Sequence, residues 1–219
     1  MRTLKTALLS LGLAAAISSA ASAQIVGFDN VTSAPIGMIG NGYAGFNWDN
    51  AFVIDPVSWF GSTGAAAGFG SALQSSAYVM GNGGGNAMTI SGNQFNLLGG
   101  TFASAWRKGM TVSAIGSLGG AQKYSRTFLV DWDKSQYVGL NMFGVDNIVF
   151  TTSGGTVEGF DSHSNASFAV DNLVFEADGG LGTLGDIGIQ VVPEPMTVSL
   201  MGFGLLAVGL AAKRRRSSK

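Results

Sequence analysis

Residues 110–130 read MTVSAIGSL-GG-AQKYSRTFLV, and their reading decides the fold class. Met110, Val112 and Ala114 alternate with Thr111 and Ser113. After Gly119-Gly120, Tyr124, Arg126, Phe128 and Val130 alternate with Ser125, Thr127 and Leu129. A strand sends successive side chains to opposite faces, so a period of two is the mark of a strand with one buried face. Outward from here the same texture continues. Short runs at 25–28, 77–80, 102–106, 137–142, 147–150, 167–170 and 172–176 are separated by glycine breakers at 81–86, 99–100, 119–120, 154–155 and 179–180. Strands of about four to seven residues at turn-marked spacing predict an all-β sandwich or barrel. Residues 64–76 are the one helix-compatible stretch, and their Gly and Ser content favours a loop.

Composition narrows the function classes. Of 219 residues 34 are Gly, yet 46% are hydrophobic and none is Cys. Mean hydropathy is +0.31, too apolar for a solvated disordered chain. Without Cys there is no disulfide scaffold, thiol nucleophile or thiolate metal site. The one His, His163, sits in a polar turn, and no G-x-S-x-G elbow accompanies it. The 81–86 glycine run lacks the Lys and Ser/Thr of a phosphate-binding loop. These absences argue against an enzyme. Between residues 24 and 190 there are 5 basic against 12 acidic residues, a charge of −7, so nucleic acid is not the expected partner.

The two ends speak of address. Residues 1–23 carry Arg2 and Lys5, an apolar stretch from Ala7 to Ile17, and the small-x-small triplet Ala21-Ser22-Ala23. This is the layout of a secretory signal peptide, with Gln24 as the expected mature N-terminus after cleavage behind Ala23. At the other end (191–219), Val192-Pro193-Glu194-Pro195 is followed by Met196 to Ala212 without a charge, and then by Lys213-Arg214-Arg215-Arg216 in a basic tail at 213–219. Prolines on both sides of Glu194 keep that step out of helix and sheet interiors. The 17 residues 196–212 would span about 25 Å as a transmembrane helix, the short end of what a bilayer needs, with the basic cluster held inside. The expected organisation is therefore a signal peptide (1–23), one exported domain (24–190) and a C-terminal segment (191–219).

This tail resembles the PEP-CTERM sorting signal of Gram-negative bacteria. The family's tripeptide falls on Pro193, Glu194 and Pro195, its apolar helix on residues 202–210, and its basic cluster on Arg214, Arg215 and Arg216. The signal is also labelled an ice-binding-protein C-terminal domain, a label that does not itself imply ice binding. The resemblance implies an exosortase partner, a stay in the inner membrane, cleavage near the tripeptide, and delivery to the cell surface or the extracellular polysaccharide of a biofilm matrix. The central domain, from Phe28-Asp29-Asn30 through the aromatic stretch 43–60 to the closing run 168–175, resembles the jelly-roll sandwich of exported carbohydrate-binding domains. That resemblance implies the fold and carries no sugar-binding residue over.

Two groups of side chains stand out in the domain. Asp29 and Asp171, each followed by Asn on the expected first and last strands, are candidate ligands for calcium, which takes six to eight oxygens; equally, Asp and Asn initiate turns. No other cofactor is implied. Tyr43, Trp48 and Trp59, interleaved with Asn47, Asp49 and Asn50, have the composition of a sugar platform, since a pyranose has an apolar face and a polar rim. They equally suit the core of a small β domain. The expectation is an exported, sorted protein with a structural or adhesive role. A carbohydrate-binding module is the alternative and a secreted hydrolase the third reading.

Overall fold

The computed structural model describes residues 23–75, 77–158 and 165–176. Within them the chain is all-β with a short helical insert. Its strands are β1 (Ala23–Val26), β2 (Ile36–Met38), β3 (Asn47–Asp49), β4 (Ala51–Ile54), β5 (Val79–Asn82), β6 (Met88–Ser104), β7 (Arg107–Leu118), β8 (Ala121–Val130), β9 (Gln136–Val157) and β10 (Phe168–Glu176). Helices α1 (Pro56–Phe60), α2 (Ser62–Ala66) and α3 (Gly68–Ala72) lie between β4 and β5. Among the described residues no helix is long and apolar enough to cross a membrane. Residues 1–22 and 177–219, with Ala21, the Pro-Glu-Pro step, the expected transmembrane segment and the arginine cluster, lie outside them, as does His163.

All ten strands belong to one antiparallel sheet in the order β2-β4-β5-β10-β6-β9-β7-β8. Strand β3 lies beside the start of β6, and β1 beside the second half of β10. The first and last strands are therefore neighbours, with Val26 opposite Leu173. The 110–130 stretch forms β7 and β8 in register from Met110↔Val130 to Gly116↔Tyr124. Gly119 and Gly120 join them at φ +58° and +80°. Positive φ at both central residues is what a two-residue type I′ hairpin turn requires, and glycine adopts it without steric cost.

Adjacent residues divide between two cores because they face opposite sides of the sheet. Val53, Met80, Phe102 and Val170 point inward with Phe28, Phe95, Leu97, Leu140, Phe150 and Phe175. Their sequence neighbours Ile54, Val79, Ala103 and Ala169 face outward, where Phe69 and Trp106 pack against them beneath the helices. On the inner side Phe102 of β6 meets Phe128 of β8 with ring centroids 5.1 Å apart. Those strands are three pairings apart along the sheet, so the sheet curls until its inner face meets itself. Arg126 Nε and Lys123 Nζ on β8 then donate to the carbonyls of Leu140 (3.2 Å) and Gly144 (3.0 Å) on β9, bridging the seam.

The structure corrects the expected strand lengths. The glycines at 99–100 and 154–155 do not break strands but lie inside β6 and β9, of 17 and 22 residues. At Gly99 the reason is space: a Cβ would stand 2.3 Å from the Val138 carbonyl and 2.7 Å from the Tyr137 hydroxyl. Glycine here permits close approach of the neighbouring strand rather than a turn. The expected loop at 64–76 is also corrected, since helical structure runs from Pro56 to Ala72 in three short pieces. Asp55 caps the first, accepting from the backbone N–H of Val57 and Ser58 at 3.0 Å each, with Pro56 at the first helical position. An acidic N-cap before Pro is a start signal in its own right.

Candidate functional site

Asp29 and Asp171 both accept hydrogen bonds from backbone beside β10. Along one edge of β10, Ala169 and Val170 pair with β5 while Leu173 to Glu176 pair with β1. Asp171 and Asn172 sit at the handover, with Asn172 at φ +52° and a register shift beside it. There carboxylates take the backbone N–H groups of Gln74, Ser75, Ala77 and Tyr78. Asp171 Oδ2 accepts from Gln74 N at 2.8 Å and Ser75 N at 2.9 Å, and Oδ1 from Asn172 N at 2.7 Å. Asp29, three residues beyond β1, accepts from Ala77 N at 2.9 Å and Tyr78 N at 3.1 Å.

These oxygens accept hydrogen bonds from backbone N–H groups of the chain itself. Among the described residues no group of three or more His, Cys, Asp or Glu is placed to hold a metal ion. The geometry assigns Asp29 and Asp171 to clamping a segment of chain. Burial pushes the Asp171 carboxyl above its usual range against the lowering effect of its N–H donors, and the charge of Asp29 pushes in the same direction as burial.

Of the expected aromatic platform, Tyr43 and Trp48 lie together, with ring centroids 6.3 Å apart. Tyr43 is half-buried: its hydroxyl donates to the Gly27 carbonyl and lies 2.7 Å from Asn30 Oδ1. Burial, with the nearby charges of Asp29 and Asp171, holds that hydroxyl protonated, its pKa pushed up to about 12. Trp48 is 6% exposed, lies edge-on to Phe28 and Phe46, and donates its indole N–H to the Tyr43 carbonyl at 2.9 Å. Only Trp59, on α1, stands in solvent at 51% exposure. Trp48 is thus a core residue and Tyr43 packs, half-buried, against that core, because aromatics supply the area a domain of this size must bury. Ala23 and Gln24 lie on β1, with Gln24 buried opposite Phe175.

A concave site exists elsewhere. An open cleft of about 730 Å³ lies where β3, β6, β9 and β7 run side by side. Its spine is a cross-strand row: Asn47 pairs with Ser91, Ser91 with Asn147, and Asn147 with Ser117. The next row, Trp48, Ile90, Ile148 and Gly116, is buried, so the row before it must face outward. Asn93, in the irregular part of β6, and the Gly120 turn complete the lining with Gly45, Gly92 and Asp146. Asp146 Oδ2 accepts from Gly119 N at 2.7 Å, which holds the turn at the cleft's rim.

The chemistry of this lining is specific. It offers amide and hydroxyl groups that donate and accept, together with glycine backbone. It contains no cationic side chain and no large apolar one. An anionic ligand would find no counter-charge, and a lipid or planar aromatic ligand no surface to cover. A neutral polyhydroxyl compound finds both donors and acceptors. Glycoside hydrolysis normally uses two carboxyl groups flanking the bond, and this lining holds one. Sequence reading included Asn47 in the aromatic stretch but missed Ser91, Asn93, Ser117 and Asn147. Nothing local marks them, since the row exists only through strand pairing.

Among solved structures the chain is similar to a DUF4465 family protein from Bacteroides ovatus, with a TM-score of 0.45 and 8% identity over 71% of this chain and 88% of that one. It is also similar to TmCBM61 in complex with β-1,4-galactotriose, with a TM-score of 0.33 and 14% identity over 69% of this chain and 94% of that one. No family profile and no curated protein matches the sequence.

Proposed function

We propose that this is an exported, non-catalytic protein whose jelly-roll-like β domain binds a neutral saccharide of the extracellular matrix. The observation that carries the reading is the cleft, whose lining is uncharged but for Asp146 and rich in paired donors and acceptors. The alternation of apolar-in and polar-out residues on β6, β7 and β9 makes the site rigid, because each polar side chain stands on a strand whose other face is locked in the core. Export and sorting rest on the sequence of the ends: a cleavable leader before Gln24, and Pro193-Glu194-Pro195 ahead of an apolar segment and Arg214 to Arg216. An exosortase acting there would release a protein able to hold matrix polysaccharide, which also accounts for the structural role read from the sequence.

Screening the exported protein on arrays of neutral and anionic glycans tests the reading. Neutral glycans should bind, and Asn147→Ala should weaken the best of them about 5- to 10-fold, the effect of one lost hydrogen bond of roughly 1 kcal/mol. Exclusive binding of anionic glycans, or none at all, would overturn it.

A further inference from the structure

The cleft opens onto a sheet face with a regular pattern. From the cleft row, the outward positions of β9 and β7 continue in register without a shift from Asn147↔Ser117 to Ser153↔Thr111, and β8 joins them in register beyond a bulge between Gly116 and Ser117. Two residues on is a row with Val149, Ile115 and Ser125. The next row is Thr151, Ser113 and Thr127, and the one beyond it pairs Ser153, Thr111 and Leu129. Alternate residues of β7 (Met110, Val112 and Ala114) are buried in the inner core, so these positions form the outer face. Thr151, Ser153, Ser125, Thr127, Ile115 and Leu129 are exposed. On β9, β7 and β8 no position of these rows carries an ionisable side chain, and the Val149 row meets one, Asp49, only at the far edge, through Thr89 of β6.

We propose that this face docks a neutral polysaccharide in its ordered, multi-chain form, as an extension of the cleft with which it shares Asn147 and Ser117. The inference rests on the saccharide-binding reading of the cleft. Rows recur about every 6.7 Å along the strands and every 4.8 Å across them. A hydroxyl row therefore alternates with a row holding apolar side chains, the pattern that a layer of sugar rings with hydroxyl rims and apolar faces presents. Each surface hydroxyl contact is weak, because water offers the same bond. Such an array outcompetes water only when the ligand is already rigid and repeats its contacts, since a loose chain must also lose its freedom on binding. Absence of charge removes the selectivity for uronates or sulfated chains that a basic face would carry.

Sedimentation of the exported protein with insoluble cellulose, chitin and curdlan tests this, alongside titration with the soluble oligosaccharide of each. At least one insoluble polymer should deplete the wild type from solution. Thr127→Glu/Thr151→Glu, at exposed positions where the melting temperature should stay within a few degrees, should reduce that retention about tenfold and leave soluble binding unchanged. Asn93→Ala, in the cleft and off the face, should reduce soluble binding. Unaltered retention of the double variant overturns the docking face, and so does soluble binding without retention on any polymer. If neither form of any saccharide binds, the cleft reading falls with it.

Discussion

Replacing Asp171 should be among the costliest single changes in the domain, and the structure indicates how costly. Its side chain is fully buried and accepts three backbone N–H bonds at 2.7–2.9 Å, with the Ser75 hydroxyl a further donor at 3.3 Å. A bond from a neutral donor to a charged acceptor contributes roughly 1.5–3 kcal/mol, so three would give about 4.5–9 kcal/mol gross. Against this, the variant no longer buries a carboxylate, and water can reach Gln74 and Ser75 in part. The expected net loss for Asp171→Ala is about 3–4 kcal/mol, a fall in melting temperature of about 10 °C for a domain of this size. Asp171→Asn keeps an oxygen for Gln74 and Ser75 but sets an amide N–H against the Asn172 N–H, and should lose about 1–2 kcal/mol. The pH dependence has a definite sign. With its folded pKa raised by burial, Asp171 binds more protons in the native state; its contribution is full below the ordinary carboxylate pKa and is lost as pH rises through the raised one. The stability gap between wild type and Asp171→Asn should therefore widen on acidification. Urea melts at several pH values, with and without a chelator, provide the measurement. A loss under about 0.5 kcal/mol for Asp171→Ala would refute the clamp. A gap that narrows on acidification would refute the burial argument. A melt lowered by chelator in wild type alone would return the two carboxylates to a metal.

Phe102→Ala should remove about 3–5 kcal/mol, because this fully buried ring contacts Phe128, Phe150 and Phe168 where the sheet closes on itself. A thermal melt close to that of wild type would mean the curl does not depend on that contact. Exported protein from a host with a matching exosortase should begin at Gln24 and lack about 25 C-terminal residues, roughly a span and its basic tail. Replacement of Pro193-Glu194-Pro195 by alanines should leave it full-length and membrane-bound. Intact-mass spectra showing identical C-termini in both would reduce the tail to a plain anchor.

The β class was legible because period-two alternation is a local signal: Met110, Val112 and Ala114 face the core and Thr111 and Ser113 face out, as their spacing predicts. The neighbouring first and last strands also emerged as expected. Strand ends were not legible. Glycine breaks a strand when a turn needs its positive φ, as at Gly119-Gly120, and continues one when a neighbouring strand needs the room, as at Gly99. Sequence alone does not tell these apart, because the close neighbour, Val138, is 39 positions away. The insert at 56–72 failed for a related reason. Its Gly and Ser content lowers helix propensity, but Phe69 is held against Trp106 with ring centroids 5.5 Å apart, and tertiary packing outweighs propensity.

Candidate sites followed the same division. That Asp29 and Asp171 come close could be read from their places beside the first and last strands. What they bind could not, since the donors at residues 74–78 reach them only where β10 changes partner from β5 to β1. Tyr43 and Trp48 had the composition of a sugar platform, and the structure buries Trp48 and half-buries Tyr43, because composition does not record which side chains the fold covers. Alone, the sequence determined the class of the fold, because alternation is a property of neighbours along the chain. Only the tertiary structure decided where a ligand could sit. Asn47, Ser91, Asn147 and Ser117 lie 30 to 56 positions apart between paired residues, and antiparallel pairing alone sets them in one row.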